Sequence, residues 1–142
     1  MRGESIHLVD GGSQKRAFTY IDDGIDALMR IIQNPRRVAS GKIYNVGNPK
    51  NNFSVKQLAA MMVKLALTYP EYRDSARRVK MVSTSADKYY GRGYQDVMNR
   101  VPRITNTMRD LGWKPQVAMP EALKRIFDAY RLDVAGARSL VD

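Results

Sequence analysis

The residues of this chain best able to do chemistry are its cations. Twenty-four lysines and arginines stand against 14 aspartates and glutamates in 142 residues, a formal charge of +10. A field of that sign favours anionic partners: nucleic acid, phosphorylated metabolites or acidic membrane surfaces. Two places stand out. Lys15 and Arg16 close a polar stretch, Ser13-Gln14-Lys15-Arg16, directly after the turn signal Asp10-Gly11-Gly12. Residues 85–104 gather tyrosines and arginines, among them Tyr89-Tyr90-Gly91-Arg92-Gly93-Tyr94 and Arg100-Val101-Pro102-Arg103. A guanidinium binds phosphate or carboxylate through paired, charge-assisted hydrogen bonds. It stays protonated at almost any accessible pH. Its natural role is therefore electrostatic, holding an anion and stabilising negative charge as it forms.

Composition narrows the other chemistries. Zero cysteines exclude disulfides and thiolate metal sites. A single histidine, His7, argues against a His-rich metal centre. No apolar run approaches the roughly 18 residues of a membrane helix. The opening Met-Arg-Gly-Glu-Ser lacks the apolar stretch of a secretory signal, so the chain reads as soluble and cytoplasmic, with no membrane partner. A basic nucleic-acid-binding module is one reading of the charge. The bases are scattered, however, with no basic helix and no aromatic-interleaved basic sheet, and this disfavours nucleic acid.

The elements that must position these residues read as a mixed α/β fold. Residues 5–9 form a short strand stopped by Asp10-Gly11-Gly12, which places Lys15 and Arg16 on the following turn. Residues 17–21, aromatic and β-branched, suit a second extended segment. Asp22 or Asp23 can cap the next helix, where Ile25, Leu28 and Ile32 share a face beside Ala27 and Ile31, and Asn34-Pro35 ends it. Residues 42–46 read as a strand stopped by Gly47-Asn48-Pro49. Ser54-Val55-Lys56-Gln57 is a capping-box pattern, opening a helix whose apolar spacing runs from Val55 through Tyr69 until Pro70. Residues 78–84 alternate as another strand. The stretch 85–104 is neither cleanly strand nor helix, a composition common in functional loops and in mobile linkers. Thr105 caps a short helix through Leu111, closed by Gly112. Pro120 suits the first turn of a last helix, with Leu123, Ile126, Phe127 and Tyr130 on one face. Met61, Met62, Leu65, Trp113 and Phe127 read as core or join residues. Short strands with few helices suit an appendage better than a complete doubly wound sheet, and leave open edges needing cover.

Leu8 to Asp23, Leu-Val-Asp-Gly-Gly-Ser-Gln-Lys-Arg-Ala-Phe-Thr-Tyr-Ile-Asp-Asp, resembles a segment of the extended short-chain dehydrogenases, the sugar-nucleotide epimerases and dehydratases. Ile43-Tyr44-Asn45-Val46-Gly47, Phe53-Ser54-Val55-Lys56-Gln57-Leu58 and Leu111-Gly112-Trp113-Lys114-Pro115 are similar to later pieces in the same order. The resemblance runs from about residue 5 to residue 131. Tyr89-Tyr90-Gly91-Arg92-Gly93-Tyr94-Gln95-Asp96-Val97 with Arg100-x-Pro102 resembles, more narrowly, the UDP-glucuronic acid decarboxylase domain of bifunctional polymyxin-resistance proteins.

That resemblance implies the C-terminal, substrate-binding part of an extended short-chain dehydrogenase fold, over residues 1–133, with a frayed tail at 134–142. It implies an activity for the parent protein: oxidation of UDP-glucuronic acid at carbon 4 with NAD and loss of the carboxylate as carbon dioxide. The product is a UDP-4-keto-pentose, used in aminoarabinose modification of lipid A. The family's glycine-rich NAD fingerprint and its Tyr-x-x-x-Lys pair are missing from the sequence. The expectation is therefore that NAD is bound by an absent N-terminal half, that this chain is inactive alone, and that the parent is a homo-oligomer. Lys15 and Arg16 fall where the resemblance places contacts to the UDP end, although Lys15 is equally a solvated base. Arg100 matches the arginine assigned as proton donor in decarboxylation, which in the wider superfamily commonly binds the diphosphate; its bland alternative is a salt bridge to Asp96. Tyr94 matches a substrate-contacting position or simply anchors its loop, and His7 lies at the start of the substrate segment or serves the strand. Arg103 and Ala17 depart from the family pattern. Another UDP-sugar epimerase or dehydratase is the alternative within the superfamily.

Overall fold

The computed structural model describes residues 3–93 and 96–131. In chain order its elements are β1 (Ile6–Val9), β2 (Lys15–Ala17), α1 (Ile21–Gln33), β3 (Asn52–Ser54), α2 (Val55–Ala66) and α3 (Pro70–Arg78). These are followed by β4 (Met81–Thr84), α4 (Ala86–Tyr90), β5 (Asn99–Arg100), α5 (Thr105–Leu111) and α6 (Met119–Arg131). The class is mixed α/β with small sheets, as the alternation of patterns indicates. The chain divides into two compact units: residues up to Gln14 with Ser54–Met98 and Pro120 onward, and Lys15–Phe53 with Asn99–Met119. The tail expected at 134–142 lies outside the described residues. Among the described residues no helix is long and apolar enough to cross a membrane.

In the first unit β1 and β4 pair in parallel, Ile6 opposite Met81 through Val9 opposite Thr84. Ser54 and Gln57 close the capping box, the Gln57 amide donating to Ser54 Oγ at 3.0 Å and the Ser54 amide to Gln57 Oε1 at 2.8 Å. The helix it opens ends at Ala66, three residues before the apolar spacing gives out. Pro70 then opens α3, which the sequence reading missed: proline, lacking an N–H and fixed in φ, suits a helix's first turn as well as it stops a preceding one. Tyr69, Tyr72 and Phe127 pack with ring centroids 5.6–6.1 Å apart. Ala66 and Ala76 complete that buried cluster, and Met62 and Leu65 lie against it.

The second unit holds a three-stranded sheet in the order β3-β2-β5 and a core of Ala27, Ala39, Ile104, Leu111 and Trp113. Trp113 is 1% exposed, and its indole N–H donates to the Asp23 carbonyl at 2.9 Å. The buried Asp23 carboxylate accepts the amides of Gln116 and Val117, each at 3.0 Å. Neither Asp22 nor Asp23 caps α1; Tyr20 occupies the N-cap, and its side chain does not cap the helix. Asp23 instead ties the helix's first turn to the irregular stretch after Trp113. Thr105 likewise lies inside α5, behind an Ile104 N-cap. Asn34 ends α1 in the left-handed conformation, φ 42°, and Gly112 closes α5 at φ 59°.

Two strand expectations are corrected. The extended segment expected at 17–21 is strand only over Lys15–Ala17, since α1 already begins at Ile21. Residues 42–48 join no ladder among the described residues, although Tyr44 and Val46 pack on the Trp113 core.

Candidate anion site

Lys15 and Arg16, expected on a turn, lie on strand β2, which β5 flanks in parallel: Lys15 opposite Asn99 and Arg16 opposite Arg100. Adjacent strands lie about 4.8 Å apart, and register partners project from the same sheet face. The two arginines singled out from opposite parts of the sequence thus come to neighbouring positions. Arg16 is half-buried, Lys15 and Arg100 are exposed, and Arg16 Nη1 donates to the Lys15 carbonyl at 2.7 Å. Register partners on one sheet face are positions from which two guanidiniums can reach a common anion, the arrangement a phosphate or carboxylate clamp requires.

Three contacts fix this pair of strands. Asn52 on β3 donates from Nδ2 to Asn99 Oδ1 at 3.1 Å, a strap between the two strands that flank β2. Asn52 Oδ1 is buried without a partner. Pro102 packs so closely on Gly47 that a Cβ there would collide with the proline ring. Asn45 Nδ2 donates to the Arg103 carbonyl at 3.2 Å. The Ile43–Gly47 motif thereby sets the end of β5 and the position of Arg100. Asn52 and Asn99 escaped the sequence reading; asparagine is depleted in strands, and neither short strand was legible from its residues.

The other proposed contacts fare differently. His7 belongs to the first unit, exposed on β1 with Nδ1 3.4 Å from Thr84 Oγ1. Tyr94 lies outside the described residues. Tyr89 and Tyr90 stack edge to face at 4.7 Å and are more than half exposed. A cavity of about 320 Å³ lined by Asp26, Arg30, Gln33, Pro35, Val38, Asp110 and Leu111 includes none of the proposed site residues. Its Arg30 is engaged by Asp26 and by the carbonyls of Leu111 and Gly112 at 3.1 and 3.2 Å. That guanidinium caps the end of α5. Beside it, Arg109 first, then Lys42 and Tyr44, hold the Asp110 carboxyl well below the usual carboxylate range. Among the described residues no group of three or more His, Cys, Asp or Glu could hold a metal ion.

The residues do not fit a dinucleotide cradle. Gly11 and Gly12, at φ 71° and 66°, lead into strand β2, so no helix N-terminus follows them to take a pyrophosphate.

A family model described as the NAD dependent epimerase/dehydratase family matches residues 1–47. The solved PbgP3 protein from Burkholderia pseudomallei is 60% identical over 99% of this chain, with a TM-score of 0.87. The chain belongs to the NAD-dependent epimerase/dehydratase family. The same fold recurs in UDP-glucose 4-epimerase from Thermotoga maritima with UDP-glucose, at 24% identity over 94% of this chain and TM-score 0.66. It recurs too in dTDP-glucose 4,6-dehydratase from Bacillus anthracis in complex with NAD, at 13% identity over 92% and TM-score 0.65. The chain spans only 38%, 37% and 36% of the lengths of these three proteins.

Proposed function

We propose that this chain is the UDP-sugar-holding portion of an NAD-dependent UDP-glucuronic acid decarboxylase, as against another UDP-sugar epimerase or dehydratase. The observation that carries the reading is the register pairing of Arg16 with Arg100. Arg16, aided by Lys15, takes the diphosphate, and Arg100 holds the sugar carboxylate or the adjoining phosphate. After carbon 4 is oxidised, loss of carbon dioxide leaves an enolate, and the fixed charge of Arg100 stabilises it before a proton returns to the ring carbon. NAD, held by a separate nucleotide-binding portion, supplies the hydride acceptor. The assembled enzyme is a homo-oligomer.

Titration calorimetry tests this with UDP-glucuronic acid, UDP-glucose and UDP. The chain alone binds the first weakly, and Arg16→Ala and Arg100→Ala each weaken it by roughly tenfold, about 1.4 kcal/mol. Arg100→Ala costs UDP-glucuronic acid more than UDP-glucose. Equal losses for the two sugars would point to an epimerase or dehydratase. Failure to bind UDP, with retention of an arbitrary DNA duplex at low salt, would replace the reading with a nucleic-acid module.

A further inference from the structure

The cavity beside α1 contains none of the residues assigned to the UDP-sugar. Its walls are the C-terminal half of α1, the turn from Pro35 to Val38 and the end of α5, all within the second unit. That unit holds eleven of the 24 lysines and arginines but only four of the 14 acids. Three of those four acids are occupied internally. Backbone amides hold Asp23, Arg30 pairs with Asp26, and Lys42 and Arg109 pair with Asp110.

The turn carries charge that nothing answers. Arg36 and Arg37 lie on it, exposed, at φ 54° and 58°. The left-handed region is costly for side chains in general, with asparagine and aspartate tolerated best. Asn34 holds the turn in this form: its Nδ2 donates to Ser40 Oγ and its Oδ1 accepts the Ala39 amide, each at 2.9 Å. Among the described residues neither guanidinium has a hydrogen bond or an ion pair. A glycine pair would trace the same turn without strain; what arginine adds is charge. Strain retained in this way accompanies ligand sites.

The cavity supplies the rest. Its volume of about 320 Å³ is at the lower end of small-molecule sites, roughly 300–1,000 Å³. Arg30, fixed by Asp26 and by the Leu111 and Gly112 carbonyls, adds a positioned cation to the lining. Gln33 adds an amide that both donates and accepts, and the Asp26 carboxylate has lone pairs left to accept from hydroxyl groups. On or beside the cavity, Arg30, Arg36, Arg37, Lys42 and Arg109 stand against only Asp26 and Asp110, so the local field is positive.

We infer that this cavity is a second ligand site, taking a small phosphorylated polyol such as a sugar phosphate. Arg36 and Arg37 hold the phosphate at the mouth, and Gln33 and Asp26 receive hydroxyl groups inside. The small volume and the acceptors within it select this class over inorganic phosphate and over nucleic acid. The site shares no residue with Lys15, Arg16 or Arg100, so it stands apart from the UDP-sugar reading.

Titration of the whole chain with glucose 1-phosphate, glucose and inorganic phosphate, followed by amide NMR shifts, tests the assignment. Glucose 1-phosphate gives saturable shifts at Gln33, Val38 and Leu111 and binds more tightly than either of the others. Arg36→Gly with Arg37→Gly weakens it by roughly tenfold or more and leaves the melting temperature unchanged or raised. Arg36→Asn with Arg37→Asn gives the same loss, and Arg100→Ala leaves these shifts intact. The inference is overturned if glucose 1-phosphate shifts only residues around Arg16 and Arg100, if inorganic phosphate binds equally well, or if both double variants bind as the wild-type chain does. A DNA duplex retained through Arg36 and Arg37, with no sugar-phosphate binding, also overturns it and gives the turn to nucleic acid. Failure to bind UDP-glucuronic acid with these shifts preserved would sink the proposed function alone.

Discussion

At the scale of single residues, the chain uses its many cations in two ways. Arg16 and Arg100 are register partners on neighbouring strands, where the proposed site would use them on an anion, whereas Arg30, Lys42 and Arg109 serve the structure. Lys42 Nζ lies 3.0 Å and Arg109 Nε 2.7 Å from the Asp110 carboxylate, whose side chain is 10% exposed. Tyr44 donates its hydroxyl to the same carboxylate at 3.2 Å, and its own pKa is raised by burial and then by that bond. A carboxyl whose folded pKa is depressed contributes stability above its unfolded value, near 3.8, and loses it as pH falls towards the folded value. Melting temperature should therefore fall as the medium is acidified below about pH 4. Asp110→Asn should flatten that decline while lowering the plateau at neutral pH, and a series of thermal melts from acid to neutral checks both.

At the scale of elements, β5 is only two residues long and cannot place Arg100 by its own ladder. Its position depends on the Asn52–Asn99 strap and on Pro102 seated against Gly47. The Arg100-x-Pro102 spacing is thereby explained: the proline fixes the strand end, and the arginine two residues earlier inherits the placement. Gly47→Ala forces the proline ring aside. The expected cost is about 1–3 kcal/mol in chemical denaturation, accompanied by weaker UDP-sugar binding although Gly47 touches no ligand in the proposed site. Gly47→Ala with wild-type binding would separate Pro102 from the placing of Arg100. The sequence pattern disclosed the two motifs but not their contact, because 55 positions of chain separate them and nothing local to either encodes the meeting.

At the scale of the molecule, the second unit is organised around Trp113, whose indole ties the stretch after α5 to α1 through the Asp23 carbonyl. Trp113→Ala should cost about 3–5 kcal/mol of stability, since it removes the largest fully buried side chain and strands the Asp23 carbonyl; urea denaturation reads it directly. Much of this was legible from residue order. Capping at Ser54 and Gln57, the stop at Asn34-Pro35, the Gly112 closure and the core role of Trp113 depend on neighbours within a few residues, and local chemistry decides them. The family motifs were legible for the same reason: each is a short run of special residue types. Asp23 read as a cap because an aspartate before an apolar run usually is one; only a distant loop offering two free amides made it a buried acceptor. Lys15 and Arg16 read as a turn because β5, the strand that makes them part of a sheet, lies some 80 residues on. The face of Ile25, Leu28 and Ile32 was visible as apolar, but which side of α1 enters the core depends on where Trp113 and Ile104 arrive. Sequence alone settled the helices marked by local spacing, the Ser54–Gln57 capping box and the chemical types; pairing across long separations, which strand register and packing control, decided where the charges meet.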